Sequence, residues 1–453
     1  MKYIPILFFV LVSNILWSQD NHLLYNQTHN PQSLMLNPGA AYEKTNFHIG
    51  VPILSNVYAS VGNTVLNVDN LFNTRDFNVN VAESLDRISA KDFVAFNQKI
   101  DLINFGWKRK SIYYTAGVYQ ESDAVFNFPK DLLELAYFGN AGQNRSYDIG
   151  QINFRGNLQT VFHIGINQQV NDDLHIGVRG KLYTSSVNIK SVGNTGHFVS
   201  KENEEGLLLN QSISNLDLRF QSTGFESFDE LTPGNILIGS NYGLGLDFGL
   251  SYYFNDRLEF TGSILDLGFI HFSKDTRQDV YQGFFEYDGL SLQFPDFQNG
   301  DDLITYYQNL GDDIETNLPE EITSGSYMYM QPTKINLGLS YNFGGEAGPC
   351  NCRLKSSGKR SGNQTLSLHA FSMVSAGNLF YSLNGMYERS FWKVLYAKVS
   401  LGIDQFNRPN YGGGLALDVW KLNLSLNVDR LNHFNNIYNA EALTYQFGLN
   451  LKL

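Results

Sequence analysis

The chain has 453 residues, 43% of them hydrophobic and 14% aromatic but only 17% charged, with a formal net charge of −12. Its low charge, its acidic excess and its two cysteines argue against a nucleic-acid-binding surface, a disulfide scaffold and a multi-cysteine metal site. No run of roughly 18 apolar residues follows Ser18, so helices that cross a membrane are not the organising element.

Residues 1–18 read as a secretory signal peptide. Lys2 precedes an apolar run from Ile4 to Val12 that continues through Ile15, Leu16 and Trp17, and cleavage is expected between Ser18 and Gln19. Residues 19–46 are rich in Asn, Gln and His and contain two Asn-Pro steps, Asn30-Pro31 and Asn37-Pro38. This segment is either a periplasmic tail or a plug threaded into a lumen.

From residue 47 to 453 one pattern recurs, and it reads as a single domain. Apolar and polar residues alternate with period two, which gives a strand one apolar and one polar face. The first copy, Phe47 to Val61, is interrupted by Pro52, which calls for a bulge there. Phe162–Val170 and Leu174–Leu182 follow. Tyr242, Leu244, Leu246, Phe248, Leu250, Tyr252 and Phe254 then alternate with Gly243, Gly245, Asp247, Gly249 and Ser251. Ile335–Phe343, Leu395–Ile403, Leu422–Val428 and Leu443–Leu453 repeat the pattern. About fourteen such segments of roughly 8–13 residues fit strands that cross a bilayer at a tilt.

Connection lengths separate a membrane barrel from a soluble sandwich. Short turns at Asn171-Asp172-Asp173, Asn255-Asp256 and Trp420-Lys421 alternate with long excursions after Tyr119, Ser185 and Ile270. The expected fold is therefore an all-β transmembrane outer-membrane β-barrel of about 14 antiparallel strands, with short periplasmic turns and long extracellular loops. Trp107, Trp392 and Trp420 all fall beside short turns, where an aromatic girdle belongs. Gly177, Gly245, Gly249, Gly338 and Gly448 fall on the inward face, where they make room for another backbone or bend a strand.

Two connections stand out chemically. Between His271 and Thr333 lie twelve acidic and two basic residues, which reads as a solvated extracellular loop. A calcium site from Asp296, Asp301, Asp302, Asp312 and Asp313 is the less favoured reading, because the spacing matches no EF-hand loop. Residues 344–363 hold Cys350 and Cys352 beside Arg353, Lys355, Lys359 and Arg360, in the one long connection on the periplasmic side. They suit a flexible basic tether that docks a periplasmic partner, with the cysteines open to a strained disulfide or to pairing with another protein.

Several stretches resemble a known family. They are Pro31-Gln32-Ser33 with Leu36-Asn37-Pro38, His48-Ile49-Gly50-Val51-Pro52-Ile53-Leu54-Ser55, Pro129-Lys130-Asp131-Leu132-Leu133-Glu134-Leu135, Ile176-Gly177-Val178-Arg179-Gly180-Lys181-Leu182 and Ser263-Ile264-Leu265-Asp266-Leu267-Gly268-Phe269-Ile270. In this order they resemble an uncharacterised, domain-of-unknown-function outer-membrane β-barrel family of Bacteroidota. That family is distantly similar to FadL-type transporters and to the PorV and PorP/SprF barrels associated with type IX secretion. The resemblance implies location and fold and carries no catalytic residues.

No nucleophile elbow, His-Glu-x-x-His or phosphate-binding Gly-rich motif occurs, and inward His163 and His175 read as lumen hydrogen-bonders, so no enzyme and no cofactor are expected. Two functions fit. The first is a non-enzymatic interaction or assembly component of the cell envelope, with the outer-membrane lipid and a periplasmic or outer-membrane protein as partners. The alternative is a FadL-like or porin-like channel for a small or hydrophobic solute.

Overall fold

A computed structural model describes residues 21–42, 45–64, 77–139, 145–202, 209–224, 233–288, 320–344, 362–392, 394–406, 409–431 and 442–453. The signal-peptide residues 1–18, the cysteine loop with Cys350, Cys352, Arg353, Lys355, Lys359 and Arg360, and the five aspartates from Asp296 to Asp313 lie outside the described residues.

The strands in chain order are β1 (Phe47–Gly50), β2 (Val57–Asn63), β3 (Phe93–Arg109), β4 (Ile112–Asn127), β5 (Arg145–Asp148), β6 (Phe154–Gln169) and β7 (Leu174–Ser191). Next come β8 (Thr195–Glu202), β9 (Leu209–Thr223), β10 (Asn241–Tyr253), β11 (Leu258–Phe272), β12 (Thr276–Asp288), β13 (Glu320–Thr323) and β14 (Tyr327–Met330). The last are β15 (Lys334–Phe343), β16 (Gln364–Ser375), β17 (Asn378–Phe391), β18 (Leu395–Asp404), β19 (Asn410–Val419), β20 (Leu422–Asp429) and β21 (Ala442–Lys452).

With β1 and β2 counted as one broken strand and β14 and β15 as another, fourteen antiparallel strands form a closed wall. The ring closes where β21 pairs with β1 and β2, which in turn pair with β3. The wall is inside out relative to a soluble protein. On β10, Tyr242, Leu244, Leu246, Phe248, Leu250 and Tyr252 are exposed, whereas Asn241, Asp247 and Ser251 are buried. A belt of exposed Leu, Ile, Val and Phe suits hydrocarbon, and closing the sheet leaves no unpaired edge in it. Period-two alternation also fixes register, because a slip of one residue would turn every charge to lipid.

The two rims differ as expected. On one, Asn171 Oδ1 accepts from the backbone N–H groups of Asp173 and Leu174, both at 2.8 Å, and Asn255 repeats this with Arg257 and Leu258. These Asx turns let neighbouring strands reverse within a few residues. On the opposite rim the structure departs from the expectation of plain loops. β5, β8, β9, β12 and β13 form a sheet that continues upward from β7, through β7–β9 and β9–β12 pairing. Helix α1 (Phe77–Arg87) and helix α2 (Lys130–Phe138) also stand on that rim. Leu135 of α2 packs with Tyr147, Phe198, Ile213 and Leu218 into a small core of this sheet.

Pro52 breaks the first strand over residues 51–56, more than a single-residue bulge. The backbone still pairs on both sides, Val51 N–H to Leu449 O at 3.1 Å and Ile53 N–H to Asp101 O at 3.0 Å. The neighbouring strand β3 carries its own register shift between Asp101 and Ile103.

Candidate functional site

Residues 21–42 lie inside the barrel. Pro31–Met35 form a 3₁₀ turn capped by Asn30, whose Oδ1 accepts from Gln32 N–H at 3.0 Å, and Pro31 opens the turn where no N–H is needed. Wall residues reach this segment from all around the ring. Asn30 donates to Ser425, Gln32 to Asn450, and Asn37 to the carbonyl of Leu250, each at 3.1 Å. Asn167 donates to the carbonyls of Pro38 and Ala40 at 2.6 and 2.8 Å. Asn30, Pro31, Asn37 and Pro38 are all buried.

Inward glycines admit this backbone. A Cβ on Gly177 would lie 2.1 Å from Pro38 O, and one on Gly249 would lie 2.1 Å from Asn37 Oδ1. Gly338 faces the Tyr25 ring, whereas Gly245 makes room for the wall's own Tyr183 and Gly448 for Ser425 and the Ser55 carbonyl.

Three wall cations hold carbonyls of the segment. Arg179 donates to Leu34 O at 2.6 Å, Lys398 to Tyr25 O at 3.0 Å and Lys452 to His29 O at 3.4 Å. Each is also ion-paired on the wall, Arg179 to Asp247 (3.4 Å), Lys398 to Glu388 (4.0 Å) and Lys452 to Asp418 (2.5 Å). Charge-assisted bonds of this kind are the strong ones, and the paired acid offsets the burial of each cation.

Above the segment lies a charged chamber of about 80 Å³. Its centre is Asp266, which sits at a bulge of β11 with φ of 61°. The bulge turns both Leu265 and Asp266 inward, a strained conformation of the kind that concentrates at functional sites. Asp266 accepts from Lys181 Nζ at 2.5 Å and pairs with Lys334 Nζ at 3.1 Å, and its N–H donates to Asp247 Oδ1 at 2.8 Å. Lys181 also pairs with Asp247 at 2.9 Å, and Lys334 with Glu121 at 3.0 Å. Lys99 stands 3.8 Å over the Tyr119 ring. Through Arg179 this network runs directly into the clamp on Leu34.

Outside the same level of the wall is an apolar depression of about 850 Å³, lined by Ile103, Phe105, Phe162, Leu182, Leu246 and Phe269 among others. Behind it, Asn104, Gly117, His163, Lys181, Gly245 and Gly268 face inward in one continuous register across β3, β4, β6, β7, β10 and β11. Three of these six are glycine, and on the lumen side the Tyr183 ring covers Gly245 and Gly268 while His163 covers Gly117.

The tryptophans of the short-turn rim stand where that rim meets the apolar belt. Trp107 stacks on Phe105 and Tyr114, and Trp392 and Trp420 project from their turns almost wholly exposed. His163 and His175 are buried inward, near Tyr119 and Tyr253 respectively. Among the described residues no group of three or more His, Cys, Asp or Glu side chains is placed to hold a metal ion. The reading of the sequence missed the chamber. Its lysines and carboxylates sit at inward positions of six different strands, and only the register brings them to one height.

The chain belongs to DUF5723, a family of unknown function, whose model matches residues 38–429. A comparison with curated protein sequences finds no match. Among solved structures, the chain is similar to the Ralstonia pickettii toluene transporter TbuX, with 10% identity, 93% of this chain and 94% of that chain covered, and a TM-score of 0.43. A Pseudomonas aeruginosa FadL homologue gives 9% identity, coverage of 93% and 94%, and a TM-score of 0.41. The Pseudomonas putida toluene transporter TodX gives 10%, 95% and 92%, and 0.37.

Proposed function

We propose that the protein is a non-enzymatic outer-membrane channel for a small or hydrophobic solute, exported by its N-terminal signal and closed by residues 21–42. One observation carries the reading. The segment that fills the lumen is held by side chains alone, and none of its described residues joins a wall strand, so it can leave without unzipping the barrel. The apolar depression on the lipid-facing wall beside the chamber favours a hydrophobic solute, which gains free energy on passing from water into hydrocarbon.

Planar-bilayer conductance of the full chain against a form lacking residues 21–42 tests this. The full chain is expected to be silent and the deletion to conduct steadily. A folded deletion barrel, heat-modifiable on detergent gels, that neither conducts nor admits solute into liposomes overturns the channel.

A second reading keeps the barrel as an assembly scaffold of the envelope, beside type IX secretion or in surface attachment. The ordered sheet above the long-loop rim favours it, because a packed surface outside the membrane suits a protein partner. Stoichiometric co-purification of such a partner from native membranes supports this reading, and a lone barrel removes it.

A further inference from the structure

The short-turn rim is not uniform around the ring. Three neighbouring hairpins, β17–β18, β19–β20 and β3–β4, carry Trp392, Trp420 and Trp107, with β21 and β1 between the last two. At about 4.8 Å between strands, this arc spans at least about 34 Å of the wall. An exposed cation accompanies each tryptophan. Arg109 follows Trp107 two residues along the same face of β3, and Lys110 is exposed in the turn beyond it. Arg389 lies 5.1 Å over the Phe391 ring, next to Trp392, and Lys421 lies 5.3 Å over Trp420. Lys108 has the opposite parity on β3 and faces the lumen mouth.

The acids of these strands are turned away from lipid. Glu388 and Asp418 face the lumen, where they pair with Lys398 and Lys452. Among the described residues the arc exposes no carboxylate side chain at this rim, and none of its four cations is ion-paired. Only the terminal carboxylate of Leu453 stands against them. The next two hairpins differ on both counts. β6–β7 and β10–β11 carry Asp172, Asp173 and Asp256 against Arg257 alone, and no tryptophan. In a chain of net charge −12, a basic arc runs against the average.

We propose that this arc binds anionic phospholipid of the leaflet at the short-turn rim, its phosphates on Arg109, Lys110, Arg389 and Lys421. Long cationic side chains at this level lay their stems on apolar surface and carry their charge out to the headgroups. The aromatic ring beside each cation selects a lipid over a soluble anion, because the ring lies against the upper acyl chain while the cation meets the phosphate. The inference rests on the barrel and its apolar belt, and it is independent of the channel reading.

Tryptophan quenching in mixed vesicles tests it, because the reporters stand in the site itself. The protein is reconstituted in equimolar phosphatidylglycerol and phosphatidylcholine, with the upper chain of one lipid or of the other brominated. Brominated phosphatidylglycerol is expected to quench at least about twofold more strongly, and molar salt should abolish the difference. Arg109→Gln, Lys110→Gln, Arg389→Gln and Lys421→Gln together should equalise the two lipids, whereas Arg257→Gln, outside the arc, should leave the preference intact. Equal quenching in the parent, a preference unchanged in molar salt, or one that survives the fourfold substitution overturns the site. If the fourfold variant does not insert, Arg109→Gln with Lys110→Gln decides, and an undiminished preference there overturns it as well. A barrel that prefers phosphatidylglycerol but never conducts removes the channel alone, and one that conducts without the preference removes this site alone.

Discussion

Arg179 on β7 donates to the carbonyl oxygen of Leu34 at 2.6 Å, so a cation of the wall grips the backbone of the segment that fills the lumen. The same guanidinium reaches Met35 O at 3.4 Å and pairs with Asp247. The guanidinium also meets Met35 Sδ at 3.2 Å, so the grip combines two backbone carbonyls with one side chain of the segment. Arg179→Leu is expected to lower stability and to loosen the segment. Breaking a buried pair costs about 3–5 kcal/mol, and here the cost falls at the low end, since Lys181 stays on Asp247 at 2.9 Å. Thermal loss of the compact gel form and single-channel openings are the readouts. A variant as stable and as silent as the parent removes the clamp from the account.

Gly177 and Gly249 test the same packing sterically. Alanine at either places a methyl group about 2.1 Å from the Pro38 carbonyl oxygen or Asn37 Oδ1, well inside contact distance. Overpacking of this kind costs typically about 1–3 kcal/mol, and the movable partner is the segment rather than the paired wall. Gly177→Ala and Gly249→Ala should therefore raise conductance while the barrel stays heat-modifiable. Gly180→Ala is the control, because its Cβ meets nothing nearer than Ile164 O at 4.0 Å. Equal behaviour of all three variants would speak against a tightly fitted segment.

Strand number and rim polarity were legible because alternation and turn length are local properties. Tyr242 to Phe254 announces one lipid face and one lumen face without any knowledge of its neighbours. Asn171 and Asn255 mark their turns by side-chain chemistry acting over three residues. The chamber was not legible. Lys181 reads as one more inward polar residue until register sets it beside Asp266, 85 positions later, and a one-residue bulge turns that aspartate inward. The sheet above the rim was hidden for a related reason. Its partners β9 and β12 are separated by two wall strands, so each alone looks like the arm of a loop.

Asp266 is the keystone of the buried charges, and its backbone conformation makes a graded prediction. Asn at 266 keeps a residue type that tolerates positive φ but deprives Lys181 and Lys334 of their shared anion. Ala loses the charge and also meets the strain of positive φ, about 1–3 kcal/mol more. Stability should therefore fall in the order parent, Asp266→Asn, Asp266→Ala. Lys334→Met should cost less in the Asp266→Asn background than in the parent, because the Lys334–Asp266 pair is already gone there while Glu121 loses its lysine in both. Unfolding midpoints in denaturant read the series, and strict additivity of the pair would mean the two residues are not coupled.

Trp107, Trp392 and Trp420 should report a single depth in a bilayer. All three belong to the short-turn rim, and Trp392 and Trp420 are 89% and 88% exposed on turns with φ of 52° and 53°. Lys421 stands 5.3 Å over the Trp420 ring, a cation placed to meet lipid phosphate while the ring lies at the headgroup boundary. In liposomes of brominated lipids, bromine near the headgroup should quench strongly and bromine near the chain end weakly. Trp392→Ala with Trp420→Ala should remove most of the shallow quenching, leaving Trp107, which is screened by Phe105 and Tyr114. Dominant quenching by deep bromines would place this rim inside the hydrocarbon and require the belt to be shifted along the barrel axis.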